Sequence, residues 1–387
     1  MKITAIRTQI VNARLRNWIF VRVETDQPGL VGLGEATLEF QTRAVAGAVE
    51  DLGALILGED PRRIEHCWQV LYRHPFFKGG IVTLSALSGI DQALHDIKAR
   101  ALGIPLWQLL GGLCRTRLRL YDHLGGGDST AVYDEANAEA FAERAARSRA
   151  DGFDAVKILA VGRTAPLDGL PALRAAESLM AAARRGGGEE MDIMVDLHGR
   201  TSAAMAIQYA RVLEPYRPFF LEEPCQPEDV QGLARVAGAT PIPVAAGERL
   251  THRREFLPLL QAGGLAVAQP DVCHAGGITE VRRIAALCDT FGTSMAPHNP
   301  LGPIATMVNI HLGFATPNFL IQEVMRSDVP WRDEIVRGVL PIVGGYVLPP
   351  EQPGIGVEID DAAAARHPYQ EVRPVQWYHE DGSVADW

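Results

Sequence analysis

The sequence predicts an α/β protein, a (β/α)7β-type TIM barrel preceded by an α+β capping domain. Three observations carry this. The chain has 387 residues, more than twice the usual size of one domain. From about residue 117, short runs rich in Val, Ile, Leu and Phe alternate with helical stretches, which is the rhythm of a parallel sheet. Eight such runs can be counted, and eight βα units favour a closed barrel over an open sheet.

The segment before residue 116 follows a different pattern. "WIFVRVETD" and "GLVGLGEATL", parted by the turn "QPG", read as a β-hairpin. "AVAGAVEDLGALILG" and "LSALSGIDQALHDIKARALG" read as helices. Residues 1–115 are therefore expected to form the α+β cap. The eight runs are "LRLYDHL", "FDAVKILAV", "DIMVDLHG", "PFFLEEP", "IPVAAGE", "GLAVAQPD", "GTSMAPH" and "NFLIQEV", which puts the barrel at 116–325. The rest, 326–387, is too rich in Pro and Gly for another unit and is expected to return to the cap, with the terminal "YHEDGSVADW" packing there.

Composition excludes several functions. Hydrophobic residues make up 47% and charged ones 22%, a globular balance. A net charge of −10 disfavours nucleic acid and acidic membranes, whose binding surfaces are basic. No apolar stretch is long enough to span a bilayer, and the start "MKITAIRTQI" has no signal-peptide core, so the expectation is a cytoplasmic protein. The five cysteines are scattered and lack CxxC spacing, the pattern of reduced thiols.

Most of the runs end on a polar residue, and barrel active sites sit at the C-terminal ends of the strands. Asp196, Glu222 and Glu248 lie on consecutive strands, 26 residues apart in each case. Three like charges at one level repel unless a cation joins them. An all-oxygen set with open positions is what Mg²⁺ accepts, so these three are the expected metal ligands. Any one of them alone would read as a surface acid. Asp271 and His298, 27 residues apart on the sixth and seventh strands, are expected to touch. A carboxylate on one imidazole nitrogen makes the other a general base. His198, two residues past Asp196, is expected to face the same mouth by strand alternation and to serve as an acid. Glu323 on the eighth strand and Lys157 on the second complete the set, the lysine as a cation for a substrate carboxylate or alkoxide. Glu223, beside Glu222, alternates away and is expected to support the site from behind.

The motifs "DLHGR", "LEEP", "AAGER", "QPD..HAGGIT", "APHNPLGPIA" and "LIQE" occur in order, with "VETD", "VGLGE" and "GIDQAL.DIK" before them and "PGIGVEID" and "HEDGSVADW" after. In these the chain resembles the mandelate racemase subgroup of the enolase superfamily, and within it the D-galactonate dehydratase branch. The resemblance implies a Mg²⁺-dependent acid-sugar dehydratase, a hydro-lyase giving a 2-keto-3-deoxy sugar acid. It assigns Asp196, Glu222 and Glu248 to Mg²⁺, the His298–Asp271 pair to the C2 proton, His198 to the departing C3 hydroxyl and Glu323 to the substrate carboxylate or the enediolate. It also implies a small-molecule acid-sugar substrate and a homo-oligomer. Where that branch carries Asn two residues after the lysine, this chain has Leu159, then Ala160; where Ser and Trp are expected after the first strand, it has Asp122 and His123 in a loop that is expected to face substrate. The "GGGD" that follows lacks a phosphate-cradling pattern. "NARLRNWIF", with Arg14, Arg16 and Trp18, lies where the family closes over substrate. Two alternatives remain: a racemase or cycloisomerase, which would need a second base opposite His298, and a non-catalytic binding homologue, which would need no proton-transfer pair.

Overall fold

The computed structural model describes residues 1–124, 137–326, 328–374 and 376–386; the Gly-rich stretch 125–128 lies outside them. Strands β1 (Ile3–Asn12), β2 (Asn17–Thr25) and β3 (Val31–Glu35) form an antiparallel sheet in that order. The β2–β3 hairpin is the one the sequence predicts. β1 is not evident from sequence, because its middle is only half-buried and polar residues interrupt its apolar run. Helices α1 (Thr42–Ala54) and α3 (Ile81–Leu102) pack on this sheet, and α2 (Ile64–Arg73) packs on α3. α3 lies directly on β3 because Gly32 and Gly34 have no Cβ; one at either position would strike the Ala93 or Gly89 carbonyl oxygen. Their side-chain-free surface is what lets helix and strand approach this closely.

The barrel strands are β4 (Leu118–His123), β5 (Ala155–Ile158), β6 (Asp192–Asp196), β7 (Leu221–Glu222), β8 (Val244–Ala246), β9 (Val267–Ala268), β10 (Ser294–Met295) and β11 (Gln322–Val324). They pair in parallel in the order β10-β9-β8-β7-β6-β5-β4-β11. The ring closes where Met295 N–H donates to Asn318 O and Leu320 N–H donates to Met295 O, each at 2.8 Å. A short helix, α4 (Leu106–Leu109), joins cap to barrel. The helices after β4 to β10 are α5 (Ala138–Ala150), α6 (Leu170–Gly187), α7 (Ala203–Leu213), α8 (Val230–Ala237), α9 (Arg253–Gln261), α10 (Gly277–Thr290) and α11 (Pro303–Ala315).

Inside the ring, Tyr121, Ala155, Met194, Phe220, Ala245, Val267, Ala296 and Ile321 form one buried apolar cluster. These eight residues come one from each strand or its immediate flank. Two residues further along each chain segment, the same inward face carries His123, Lys157, Asp196, Glu222, Gly247, Gln269, His298 and Glu323. The period of two along a strand thus sets an almost wholly polar layer directly on an apolar floor.

The C-terminal segment does two things. Residues 331–370 bind the cap: Trp331 Nε1 donates to Asn12 O at 3.0 Å, Asn12 N–H to His367 O at 2.8 Å, and Asn17 Nδ2 to Gln370 O at 2.9 Å. The final described stretch, 376–386, differs from expectation. Trp377 lies under the guanidinium of Arg200, 4.6 Å from the ring centre, and Tyr378 O accepts from Arg163 at 2.8 Å. The tail therefore rests on the loops after β5 and β6, where two arginines offer a cation for an aromatic face and a donor for a carbonyl. Among the described residues, no helix is long and apolar enough to cross a membrane.

Candidate active site

The three strand-end acids converge. One oxygen from each of Asp196, Glu222 and Glu248 lies within 4.8 Å of the others, and all three residues are buried or nearly so. Glu248 stands one residue beyond the inward position of β8, which Gly247 occupies with φ of 135°. Glycine permits this turn, and the turn carries Glu248 over the ring. Oε2 of Glu222 is buried without a hydrogen-bond partner among the described residues. A buried carboxylate oxygen left unpaired is costly, and an all-carboxylate donor set suits a hard divalent cation. The residues present fit such an ion.

Lys157 is not at the surface of the mouth. Its side chain is 1% exposed, and Nζ lies 2.7 Å from Glu222 Oε1, 2.7 Å from Glu323 Oε1 and 3.8 Å from Asp196 Oδ2. It is a cation embedded among the acids. Burial pushes Glu222 well above the ordinary carboxylate range despite Lys157. Burial acts the same way on Asp196 but is outweighed by Lys157, His198 and the His198 N–H, so its pKa is lowered. Glu248 is raised to about 7, by burial against the opposing pull of His298.

Asp271 and His298 meet as expected: Nδ1 of the ring is 2.7 Å from Asp271 Oδ2. Asp271 is held in turn by Cys273 N–H at 2.6 Å. Nε2 faces the acid cluster, 3.4 Å from Glu248 Oε2. Burial opposes the imidazolium, but Glu248, Asp271 and Glu323 outweigh it and raise His298 to about 10. Glu323 is fastened on both oxygens, by Lys157 and by Asn299 N–H at 2.7 Å. Burial would raise Glu323; Lys157, then His298 and His123, bring it down to about 2.

His198 reaches the acids by a different route from the one the sequence suggests. β6 ends at Asp196, and His198 has φ of 55°, so a left-handed turn and not strand alternation sets its direction. Its N–H donates to Asp196 Oδ1 at 2.6 Å, and Arg200 Nη2 lies 3.4 Å from its Nδ1. An arginine has only donors, so Nδ1 accepts and the neutral ring carries its proton on Nε2.

Glu223 is turned away from the acids with φ of 42°. It accepts from Gly247 N–H at 2.9 Å and pairs with Arg249 at 2.6 Å. The second acid of "LEEP" thus braces the loop that presents Glu248. The post-β4 loop splits between two faces. His123 points inward, and burial, with Lys157, lowers it to about 4. Asp122 points outward, away from any substrate space, and binds Arg326 at 2.8 Å and the Ser148 hydroxyl. Of the cap loop, Arg16 reaches the mouth, donating to Pro300 O at 2.6 Å and pairing with Glu39 at 2.7 Å. Trp18 is fully buried in the core, and Arg14 lies over Trp331. Gln269, not singled out from sequence, stands in the polar layer with neither amide atom hydrogen-bonded among the described residues. Its place two residues after inward Val267 was the available signal.

Comparison with known proteins gives the family. Residues 3–111 match the mandelate racemase / muconate lactonizing enzyme N-terminal domain, and residues 140–363 the enolase C-terminal domain-like family. A D-galactonate dehydratase from Ralstonia nicotianae is 42% identical over 395 aligned positions, covering 100% of both chains. Among solved structures, a mandelate racemase/muconate lactonizing enzyme-like protein from a Roseovarius species superposes with a TM-score of 0.90 at 32% identity, covering 96% of this chain and 97% of that one. A member of the enolase superfamily from Salmonella Typhimurium gives 0.87 at 32%, covering 95% and 98%. With both of its domains matched and its whole length shared with one relative, the chain belongs to the mandelate racemase/muconate lactonizing enzyme family of the enolase superfamily.

Proposed function

We propose that the chain is a Mg²⁺-dependent acid-sugar dehydratase, acting on an aldonate of the galactonate kind and releasing water to give a 2-keto-3-deoxy sugar acid. The observation that carries this reading is that the His298–Asp271 pair aims Nε2 at the cluster of Asp196, Glu222 and Glu248, so a base and an acid-lined cation site address one space. Asp196, Glu222 and Glu248 would hold the metal, which supplies a Lewis acid for the substrate carboxylate and makes the proton beside it removable.

His298, with Nδ1–H on Asp271, presents Nε2 to the C2 proton; the surrounding acids favour the protonated ring, and a divalent ion bound among them would offset that pull and free the Nε2 lone pair. His198, as the imidazolium, gives a proton to the C3 hydroxyl, which then leaves as water, and the ring is left neutral. Loss of H from C2 and OH from C3 yields an enol, and this ketonises to the product. Glu323 and Lys157 hold each other at 2.7 Å beside that space, and their role is to orient the carboxylate end of the substrate. Leu159, two residues after Lys157, is apolar and buried. It cannot accept a proton opposite His298, which favours dehydration over two-base racemisation.

The test is to incubate the purified protein with Mg²⁺ and a panel of aldonates and to measure 2-keto-3-deoxy product. Turnover of at least one aldonate is expected; racemised or unchanged substrate across the panel would refute the reading.

A further inference from the structure

Asp271 has a second histidine beside it. His274 is 7% exposed, and its Nε2 lies 3.8 Å from Asp271 Oδ2, the same oxygen that receives His298 Nδ1 at 2.7 Å. On the other side of the ring, Nδ1 is 2.8 Å from Ser85 Oγ in α3 of the cap. Ser85 has one hydroxyl proton, and it goes to Ile81 O at 2.7 Å. With that proton on Ile81 O the hydroxyl accepts from His274, and the ring carries hydrogen on Nδ1. Burial, more than the opposing pull of Asp271, lowers the pKa of His274, which agrees with a neutral ring. At 3.8 Å a bare nitrogen makes no hydrogen bond to Oδ2. It fills the space next to that oxygen and leaves His298 as its only imidazole donor.

The loop carrying Asp271 and His274 hangs from the cap by further bonds. Gln92 Nε2 donates to Val272 O at 3.0 Å, Asp91 accepts from Thr279 N–H at 3.0 Å, and Trp68 Nε1 donates to Gly276 O at 2.9 Å. None of these touches Asp271. His274 is the link among them whose ring stands against the carboxylate.

We propose that His274, anchored by Ser85 of the cap, is a positioning residue that keeps Asp271 Oδ2 committed to His298. The proposal rests on the reading of His298 as the base at C2. Removing the ring leaves a void beside Oδ2 that water can enter or Asp271 can turn into, and a displacement of about 1 Å at a catalytic group can cost on the order of 10²-fold in rate. The capping domain is then coupled to proton abstraction through a side chain that touches neither substrate nor metal.

The experiment is a double-mutant cycle on exchange of the substrate C2 hydrogen with deuterated solvent, in the Mg²⁺-loaded full chain. His274→Ala should slow exchange by about 10²-fold with KM little changed, and should cost almost nothing further in an Asp271→Asn background, because residues acting as a unit are not additive. Ser85→Ala should give a smaller loss with the same dependence on Asp271, and carries the test if His274→Ala does not fold. Equal losses in both backgrounds, or no loss at all, would overturn the proposal. Exchange that survives His298→Asn would instead remove the reading on which it rests.

Discussion

Nζ of Lys157 lies 2.7 Å from Oε1 of Glu222, with both side chains shielded from solvent. The barrel interior therefore holds a cation among its acids. Asp196, Glu222 and Glu323 share that ammonium while Glu248 faces His298, and the negative charge left over is what a divalent ion would neutralise.

Activity is accordingly predicted to need a divalent metal, and Glu222→Gln to weaken Mg²⁺ binding by more than the roughly 10²-fold that loss of an outer-shell partner costs. Calorimetric titration of Mg²⁺ into metal-stripped protein measures this independently of turnover. Unchanged affinity in Glu222→Gln would show that the ion sits elsewhere.

Lys157→Met is predicted to destabilise the metal-free protein by about 3 kcal/mol or more at pH 8, the scale expected when one partner of a buried ion pair is removed. The loss should shrink toward pH 5, where Glu222 and Glu323 can escape the stranded charge by taking up protons. Urea denaturation with chelator present reads both numbers. Equal stability at pH 8 would mean that the ammonium is dispensable to the fold.

His311 makes stability pH-dependent far from the mouth. Its Nδ1 accepts from Trp107 N–H at 3.1 Å and its Nε2 donates to Ile355 O at 3.0 Å, so only the neutral ring fits between α4 and the C-terminal segment. Burial lowers it to about 4 from the ordinary value of 6.5, with the Ile355 bond acting the other way. Between those values the unfolded chain takes up a proton that the folded one refuses. The contribution is complete above pH 6.5 and is lost as pH falls toward 4, up to about 3 kcal/mol in all. Denaturation of the parent and of His311→Gln at pH 7.5 and pH 5 should show their difference narrowing by about 2 kcal/mol at the lower pH. A constant difference would contradict it.

Much of this architecture is legible in the sequence because a strand repeats every two residues. Val267 and Gln269, or Ile321 and Glu323, announce floor and polar layer by alternation alone, and the spacing of Asp196, Glu222 and Glu248 follows from the length of a βα unit. Alternation also separates inward His123 from outward Asp122, although reading both as one substrate-facing loop obscured it. It fails where the backbone leaves the strand. His198 and Glu223 take left-handed turns, and Gly247 shifts Glu248 by one position. Lys157 is read as a strand-end cation because nothing local in the sequence says that two acids, 65 and 166 residues away, enclose it. His274 and the seat of Trp377 depend on contacts between distant segments, which no period in the chain encodes.

The central claim, that His298 takes the C2 proton and His198 serves only the leaving hydroxyl, is tested most directly by exchange of the C2 hydrogen with deuterated solvent in His298→Asn and His198→Asn, compared with the dehydration rate of each. His298→Asn is predicted to abolish both, since both begin with the same proton. His198→Asn is predicted to slow dehydration by about 10²- to 10⁴-fold, the usual share of a general acid, while exchange continues. Exchange that stops in His198→Asn and persists in His298→Asn would contradict the account and reverse the two roles.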